Sequence, residues 1–410
     1  MLRTQTTFAR RDQQGGHVLV IVAPGQGAQS PGFLTPWLED PAFRDRIEWL
    51  SVVADLDLVH YGTQADAETI RDTAVAQPLL VVAGLVSAIT LFPQPADAFT
   101  RVGAAAGHSV GEIAAAAGAR VISAEQAMVF VRERGKAMAR AAAAAPTGMT
   151  AVLGGEPDTV VASLDRHGLT AANMNGSGQI VAAGTQEQLQ ALADDPPEGV
   201  RLRPLPVAGA FHTRHMGPAV ETLGGYARAI STHDPRTRLV SNADGHVIHD
   251  GAEVLGRLVG QISQPVRWDL CMQTFSDLGV TGMLEMPPAG TLTGLARRAL
   301  PDVETFALKT PDQLEQARDF VDRHASENPL ATNPTWRLVV APMKGTFTSS
   351  GADTGTAVPA SSQVGTVSSL RDTIPVNAQH GGTIIEWLAE DGDPVAPGQP
   401  LVRLHPEGVS

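Results

Sequence analysis

Cysteine is nearly absent. One residue, Cys271, in a chain of 410 excludes an intramolecular disulfide and any metal cluster built on several thiolates, so a buried, inert thiol is expected. Lysine is almost as scarce and occurs only at positions 136, 309 and 344. No apolar run reads as long enough to span a bilayer, and the segment Met1 to Gly16, with Arg3, Arg10, Arg11 and Asp12, lacks the apolar core of a secretory signal. A disordered leader, a cytoplasmic location and no membrane partner are expected. Basic excess is missing too: the net charge of -13 argues against nucleic acid as a partner, because phosphate binding needs a basic surface. The length exceeds one ordinary domain and leaves room for two or three.

Among what is present, the stretch Ala106-Gly107-His108-Ser109-Val110-Gly111-Glu112 stands out. A serine between two glycines, after a small-residue run from Arg101 to Ala106 that suits a buried strand and before an alanine-rich helix, has the pattern of a nucleophile elbow. Such a turn holds the serine in an uncommon backbone conformation, and flanking side chains would collide where strand and helix meet. The bland alternative is a glycine-rich turn whose serine caps the helix.

Upstream, His17 to Ala23 is a continuous β-branched run that predicts a buried parallel strand. The loop Pro24-Gly25-Gln26-Gly27-Ala28-Gln29 follows at once, and its backbone N–H groups can face a shared anion. With no Gly-Lys-Ser/Thr ending and no acidic residue at dinucleotide spacing, an oxyanion loop is favoured over a phosphate cradle. Helices are expected over 41–59, 69–89 and 123–145. On the last of these Arg132 and Arg134 lie about 200° apart and cannot face the same way. From 148 to 212 the pattern runs strand, helix, hairpin, helix, strand (149–153, 157–167, 169–183, 186–193 and 201–207), the βαββαβ order of a ferredoxin-like unit, with the hairpin turning at Asn175-Gly176-Ser177-Gly178. His212 and His215 lack the carboxylate motif of a metal pair, so a catalytic base with a bystander is the better reading, and no metal site is expected. Residues 261–268 open a helix, and 283–292 read as strand, loop and helix start.

The segments Pro-Gly-Gln-Gly-Ala-Gln, Gly-His-Ser-Val-Gly-Glu, Arg-Gly-Lys-Ala-Met, Ala-Phe-His and Gln-x-x-x-Pro-Val-Arg-Trp, in that order across residues 17–310, resemble the malonyl-CoA:acyl-carrier-protein transacylases. That resemblance implies an α/β fold: a hydrolase-like large subdomain with an inserted ferredoxin-like small subdomain at about 148–211, the whole spanning 17–322. It implies Ser109 as nucleophile, His212 as its base, and Gln261 as the source of a backbone carbonyl that orients the histidine. It further implies an oxyanion hole from the N–H groups of Gln26 and Val110, and Arg134 as the ligand of the malonyl carboxylate; Gly135 next to it favours Arg134 over Arg132. Phe211 resembles the residue that excludes α-branched acyl groups, and Asn175, with Asn173, an element near the active site. Malonyl-CoA and an acyl carrier protein are the implied substrates, with no cofactor. Because carrier proteins of this kind are acidic, a local basic patch is expected, with Arg214, Arg267, Arg297 and Arg298 as candidates.

After a linker at 323–335, rich in Asn and Pro, residues 336–406 alternate in short strands and resemble a biotinyl/lipoyl-type carrier domain, an all-β barrel-sandwich. The hairpin that carries the modified lysine in that family aligns with Val364 to Asp372 and places Arg371 at the acceptor position, so no biotinylation is expected; Lys344 lies in the first strand turn. A degenerate docking module, in contact with acyl-CoA carboxylase components, is what the resemblance implies. Two rival functions are carried alongside the transferase: a serine hydrolase or lipase using the same elbow, and a scaffold acting through its C-terminal domain.

Overall fold

A computed structural model describes residues 16–207, 209–325 and 337–406. The chain divides into two compact units, Met1–Ala331 and Thr332–Ser410.

In unit 1 the β-branched run forms the strand Leu19–Ala23 at the centre of a six-stranded sheet. It pairs in parallel with Ala104–Gly107 on one side and Gly282–Glu285 on the other; Arg238–Val240 and Glu304–Ala307 extend the two sides, and Val247–Ile248 closes one edge in antiparallel. Both faces are covered, as continuous apolar strands require: Ile21 and Ala105 pack with the helices on one face, Val20, Val22 and Ala106 with Trp268, Phe275 and Leu295 on the other. The loops leaving Leu19–Ala23 and Ala104–Gly107 follow the carboxyl ends of adjacent parallel strands, the usual ligand side of an open α/β sheet.

The small subdomain is a second sheet, in the order Thr170–Gly176, Gln179–Thr185, Thr147–Gly154, Val200–Pro204, with every pair antiparallel and helices at Pro157–Arg166 and Gln186–Asp194. It is joined to the large subdomain along its edge: Met174 N–H donates to Val266 O and Val266 N–H to Ala172 O, both at 2.9 Å.

Several expected boundaries are corrected. Arg101 ends the helix Pro95–Arg101, and the elbow strand starts at Ala104. The helix expected over 41–59 stops at Ala54, where Asp55 turns left-handed at φ 49°, and resumes at Leu58–Thr63. The next begins at Thr73, capped by Asp72, and runs to Leu91; it is long and apolar enough to cross a membrane, contrary to the expectation of no such run, yet it is largely buried inside the protein. The strand expected at 201–207 is Val200–Pro204. Asn173 and Asn175 lie within a strand, and the tight turn is made by Ser177 and Gly178 alone. The last helix of unit 1, Leu314–His324, passes the expected end at 322 because buried His324 bonds Thr281 and Glu304. The expected leader and most of the expected linker lie outside the described residues.

Unit 2 has two four-stranded antiparallel sheets: Arg337–Val340, Pro400–Pro406, Gly382–Trp387, Ala357–Val358 in one, and Thr373–Asn377, Gln363–Ser368, Gly345–Ser349, Pro394–Val395 in the other. Alternate residues of both sheets, among them Val339, Phe347, Val367, Ile384 and Leu404, share one core.

The elbow depends on two glycines. A Cβ on Gly107 would stand 2.0 Å from the Gly111 carbonyl carbon, and one on Gly111 would stand 2.2 Å from Ala23 O. Gly107→Ala is therefore expected to lose ~3 kcal/mol or more in chemical denaturation, or to fail to fold. Gly118→Ala, with nothing within 4 Å, should stay level or gain up to ~1 kcal/mol. Equal stability of the two variants would contradict the close-packed turn.

Candidate active site

Between the strand Ala104–Gly107 and the helix Gly111–Gly118 the chain reverses in three residues, which forces Ser109 to φ 53°. Its hydroxyl does not cap the helix; the N-cap position is Val110, with no side-chain cap. Instead Ser109 Oγ lies 2.8 Å from His212 Nε2. His212, itself at φ 60°, stands 2.9 Å through Nδ1 from the backbone oxygen of Gln261. A carbonyl only accepts, so Nδ1 carries the proton and Nε2 is free to accept from the serine. Burial, reinforced by the Arg134 charge, pushes the His212 pKa down to about 3, so the ring is neutral at physiological pH.

Arg134 reaches the same point from the helix Ala124–Ala143. That helix meets Thr73–Leu91 at Gly135, where a Cβ would stand 2.9 Å from Thr73 O, and the close crossing sets Arg134 against Gln77. The guanidinium is fully buried. Its Nη1 donates to Gln77 Oε1 at 2.7 Å, and its Nη2 to Gln261 Oε1 at 2.8 Å and Ser109 Oγ at 3.3 Å, while Nε is unpartnered among the described residues. Burial lowers its pKa to about 9, with Glu112 acting in the opposite sense, and it stays charged at neutral pH. Arg132 on the same helix is half-buried and bonds Glu133 at 2.7 Å.

Around this centre lies a hydrogen-bonded frame that the sequence motifs did not reveal. Asn242, just past the strand Arg238–Val240, accepts the Ser109 N–H at 2.7 Å and donates to Gly107 O at 2.7 Å. Glu112 Oε1 accepts the Asn242 N–H at 3.0 Å, and Glu112 Oε2 accepts from Gln261 Nε2 in a short contact. Gln77 is the one amide side chain in a helix whose other polar residues are only Thr73, Ser87 and Thr90, and that is the one signal that could have singled it out. Asn242 and Glu112 carry no such signal, since Ser-Asn-Ala-Asp-Gly reads as a turn and Glu112 as an acidic first-turn residue.

The remaining expected residues divide. Gln26 is tied by its side chain to Arg71 O at 3.1 Å and Thr73 Oγ1 at 3.3 Å. The backbone N–H groups of Gln26 and Val110 have no acceptor among the described residues. Asn175 acts on a neighbour of the serine: its Oδ1 is 2.8 Å from His108 Nε2, and His108 leans on Trp268 with ring centroids 5.7 Å apart. Phe211 is buried and packs over Gly209. Of the expected basic patch, Arg267 is held by Asp269 at 2.8 Å, while Arg214, Arg297 and Arg298 are exposed, Arg297 bonding Thr305 at 2.9 Å. In unit 2, Arg371 sits at the exposed tip between Gln363–Ser368 and Thr373–Asn377, and Lys344 in the exposed bend before Gly345–Ser349.

Residues 20–308 match the family model described as the acyl transferase domain. The chain is 48% identical over 299 residues to the malonyl CoA-acyl carrier protein transacylase of Mycobacterium tuberculosis, covering 73% of this chain and 99% of that one. The crystal structure of MCAT from Mycobacterium tuberculosis superposes with a TM-score of 0.71 at 48% identity, over 74% of this chain and all (100%) of that one. A malonyl-transacylase solved in complex with its type II PKS acyl-carrier protein is similar at a TM-score of 0.69 and 27% identity, over 74% of this chain and 99% of that one.

Burial pushes the Glu112 carboxyl from 4.5 up to about 7. The folded state then binds that proton more tightly than the unfolded chain, so the contribution of Glu112 to stability is best below about 4.5 and declines as pH rises to about 7. The unfolding free energy of the native protein, minus that of Glu112→Gln, should therefore fall across this interval and level off above it. A difference that is flat across the interval, measured by urea denaturation at each pH, would refute the assignment.

Proposed function

The chain belongs to the acyl transferase domain family and, within it, to the malonyl CoA-acyl carrier protein transacylases, and we propose that it works by ping-pong transfer through a malonyl ester of Ser109. Transfer of malonyl from malonyl-CoA to acyl carrier protein for fatty acid synthesis is its activity. In the proposed chemistry His212 Nε2 takes the Ser109 proton as Oγ attacks the thioester carbonyl. The N–H groups of Gln26 and Val110 receive the negative charge that develops on the carbonyl oxygen. Collapse breaks the C–S bond, and the imidazolium returns its proton to the departing CoA sulfur. The phosphopantetheine thiol of the carrier protein then repeats the sequence in reverse, giving its proton to His212 and regenerating the serine.

One observation carries this reading: a fully buried guanidinium beside the serine is held by two amide oxygens and, among the described residues, by no carboxylate. A substrate carboxylate fits that unpaired charge bidentately, and a neutral acyl group leaves it uncompensated at a cost of ~2–5 kcal/mol. A hydrolase or lipase has no use for such a group.

Unit 2 is read as a carrier-type barrel that has lost its modification site and serves docking, with acyl-CoA carboxylase components as partners. The two-sheet core and the hairpin with Arg371 at its tip support this, since arginine cannot form the amide that holds the cofactor.

With malonyl-CoA alone, intact mass should show one malonyl ester, absent in Ser109→Ala; an adduct that survives this substitution would sink the mechanism. Arg134→Ala should reduce malonyl loading by about 30-fold or more relative to acetyl loading. Removal of residues 332–410 should leave transfer to the carrier protein intact, and the full chain co-expressed with a biotin ligase should keep its unmodified mass. Loss of transfer, or a biotin mass increment, would contradict the reading of unit 2.

A further inference from the structure

The groups around Arg134 form a relay whose polarity is forced by chemistry. Above its pKa of about 7 Glu112 is ionised and can only accept hydrogen bonds, and Arg134 can only donate them. The Gln261 amide lies between the two, giving Nε2 to Glu112 Oε2 and receiving Arg134 Nη2 on Oε1 at 2.8 Å. Turned over, it would set oxygen against carboxylate and NH2 against guanidinium. On the other side of the guanidinium Gln77 is arranged alike, with its nitrogen 3.4 Å from Met138 Sδ and its oxygen on Arg134 Nη1. The only carboxylate in this relay is thus kept one amide away from the arginine. It compensates the buried positive charge at a distance and leaves no carboxylate oxygen on the guanidinium donors. Glu112 and Arg134 are both buried, so neither charge is answered by water.

We propose that Glu112 is a positioning residue for acyl-group selection: through the Gln261 side chain it holds Arg134 by a neutral oxygen, so that the guanidinium charge is kept for the carboxylate of the incoming acyl group. This rests on the transferase reading above. Glu112 does not touch the acyl group and acts on it only through Gln261 and Arg134. A glutamine at 112 has one acceptor oxygen for two donors, the Asn242 N–H and Gln261 Nε2, so the Gln261 nitrogen keeps only Ser109 O at 3.0 Å and Asn242 Oδ1 at 3.3 Å and the amide is held less firmly.

The test is a double-mutant cycle read as the ratio of malonyl to acetyl loading on Ser109 by intact mass, a ratio in which general losses of serine reactivity cancel. The variants are Glu112→Gln, Gln261→Met and the pair together; Gln261→Met removes the amide and keeps the backbone carbonyl that faces His212. Each single variant should lower the ratio about tenfold or more, and the double variant should fall no further than Gln261→Met alone. Multiplying effects, or an unchanged ratio in Glu112→Gln, would overturn the proposal. Gln77→Glu is a second, isosteric arm that leaves Glu112 and Gln261 in place. It sets a carboxylate directly on the guanidinium and should collapse the ratio while acetyl loading persists; a retained malonyl preference would also overturn the proposal. Failure of the native protein to load malonyl at all would instead bring down the transferase reading beneath it, and the two failures are distinguishable.

Discussion

A guanidinium with no water around it must have its charge answered by the protein or by a ligand, and the burial of Arg134 organises the centre of this molecule. Its two amino groups are held by amide oxygens from two different helical segments, at Gln77 and Gln261, and one of them also touches the serine oxygen. Such a group costs stability in the empty protein. It is tolerated because the helix Ala124–Ala143 is locked at Gly135 against Thr73–Leu91, and because buried Glu112, once ionised above about pH 7, supplies opposite charge without contact. The same burial works on its neighbours. It keeps the His212 ring neutral and raises the Glu112 carboxyl, so basicity at the serine and charge at the arginine are set by one dry environment.

The sheet topology makes that environment possible. Gln26 leaves the central strand, Ser109 leaves its neighbour, and Asn242 leaves the strand after that, so three loops at the carboxyl ends of adjacent strands meet around the serine, Asn242 through its side-chain amide. His212 follows the small subdomain in the chain, and Gln261 follows the helix Gly251–Gly260. Contact between the strand Thr170–Gly176 and Val266 ties the small subdomain to the segment just after Gln261. Asn175, in that strand, reaches across to His108 beside Ser109. The inserted sheet is thereby joined to the elbow from outside as well as through the chain.

Features whose physics is local were open to reading in one dimension. Two glycines around a serine announce a turn too tight for side chains, a β-branched run announces a buried strand, and alternation of period two against three to four sorts the small subdomain into strands and helices. The errors were local as well: Asp55 adopts a left-handed conformation that breaks a helix, and Arg101 belongs to a helix that ends just before the elbow strand. An apolar helix from 73 to 91 gives no hint by composition of whether lipid or protein surrounds it, and only packing decides for protein.

What the sequence determined by itself was the class of the fold and the tight turn around Ser109, because strand and helix patterning and the glycine-serine-glycine turn depend on neighbours a few residues away; the roles of His212, Gln261 and Arg134 came only with the resemblance to a family. Only the tertiary structure decided how those side chains are held. Gln77, Glu112, Asn242 and Gln261 lie up to 184 positions apart in the chain (261 minus 77) and meet through single hydrogen bonds. A hydrogen bond between distant residues leaves no periodicity and no composition in a sequence, so the polarity of the Gln261 amide and the neutrality of the Arg134 cage exist only once the chain has folded.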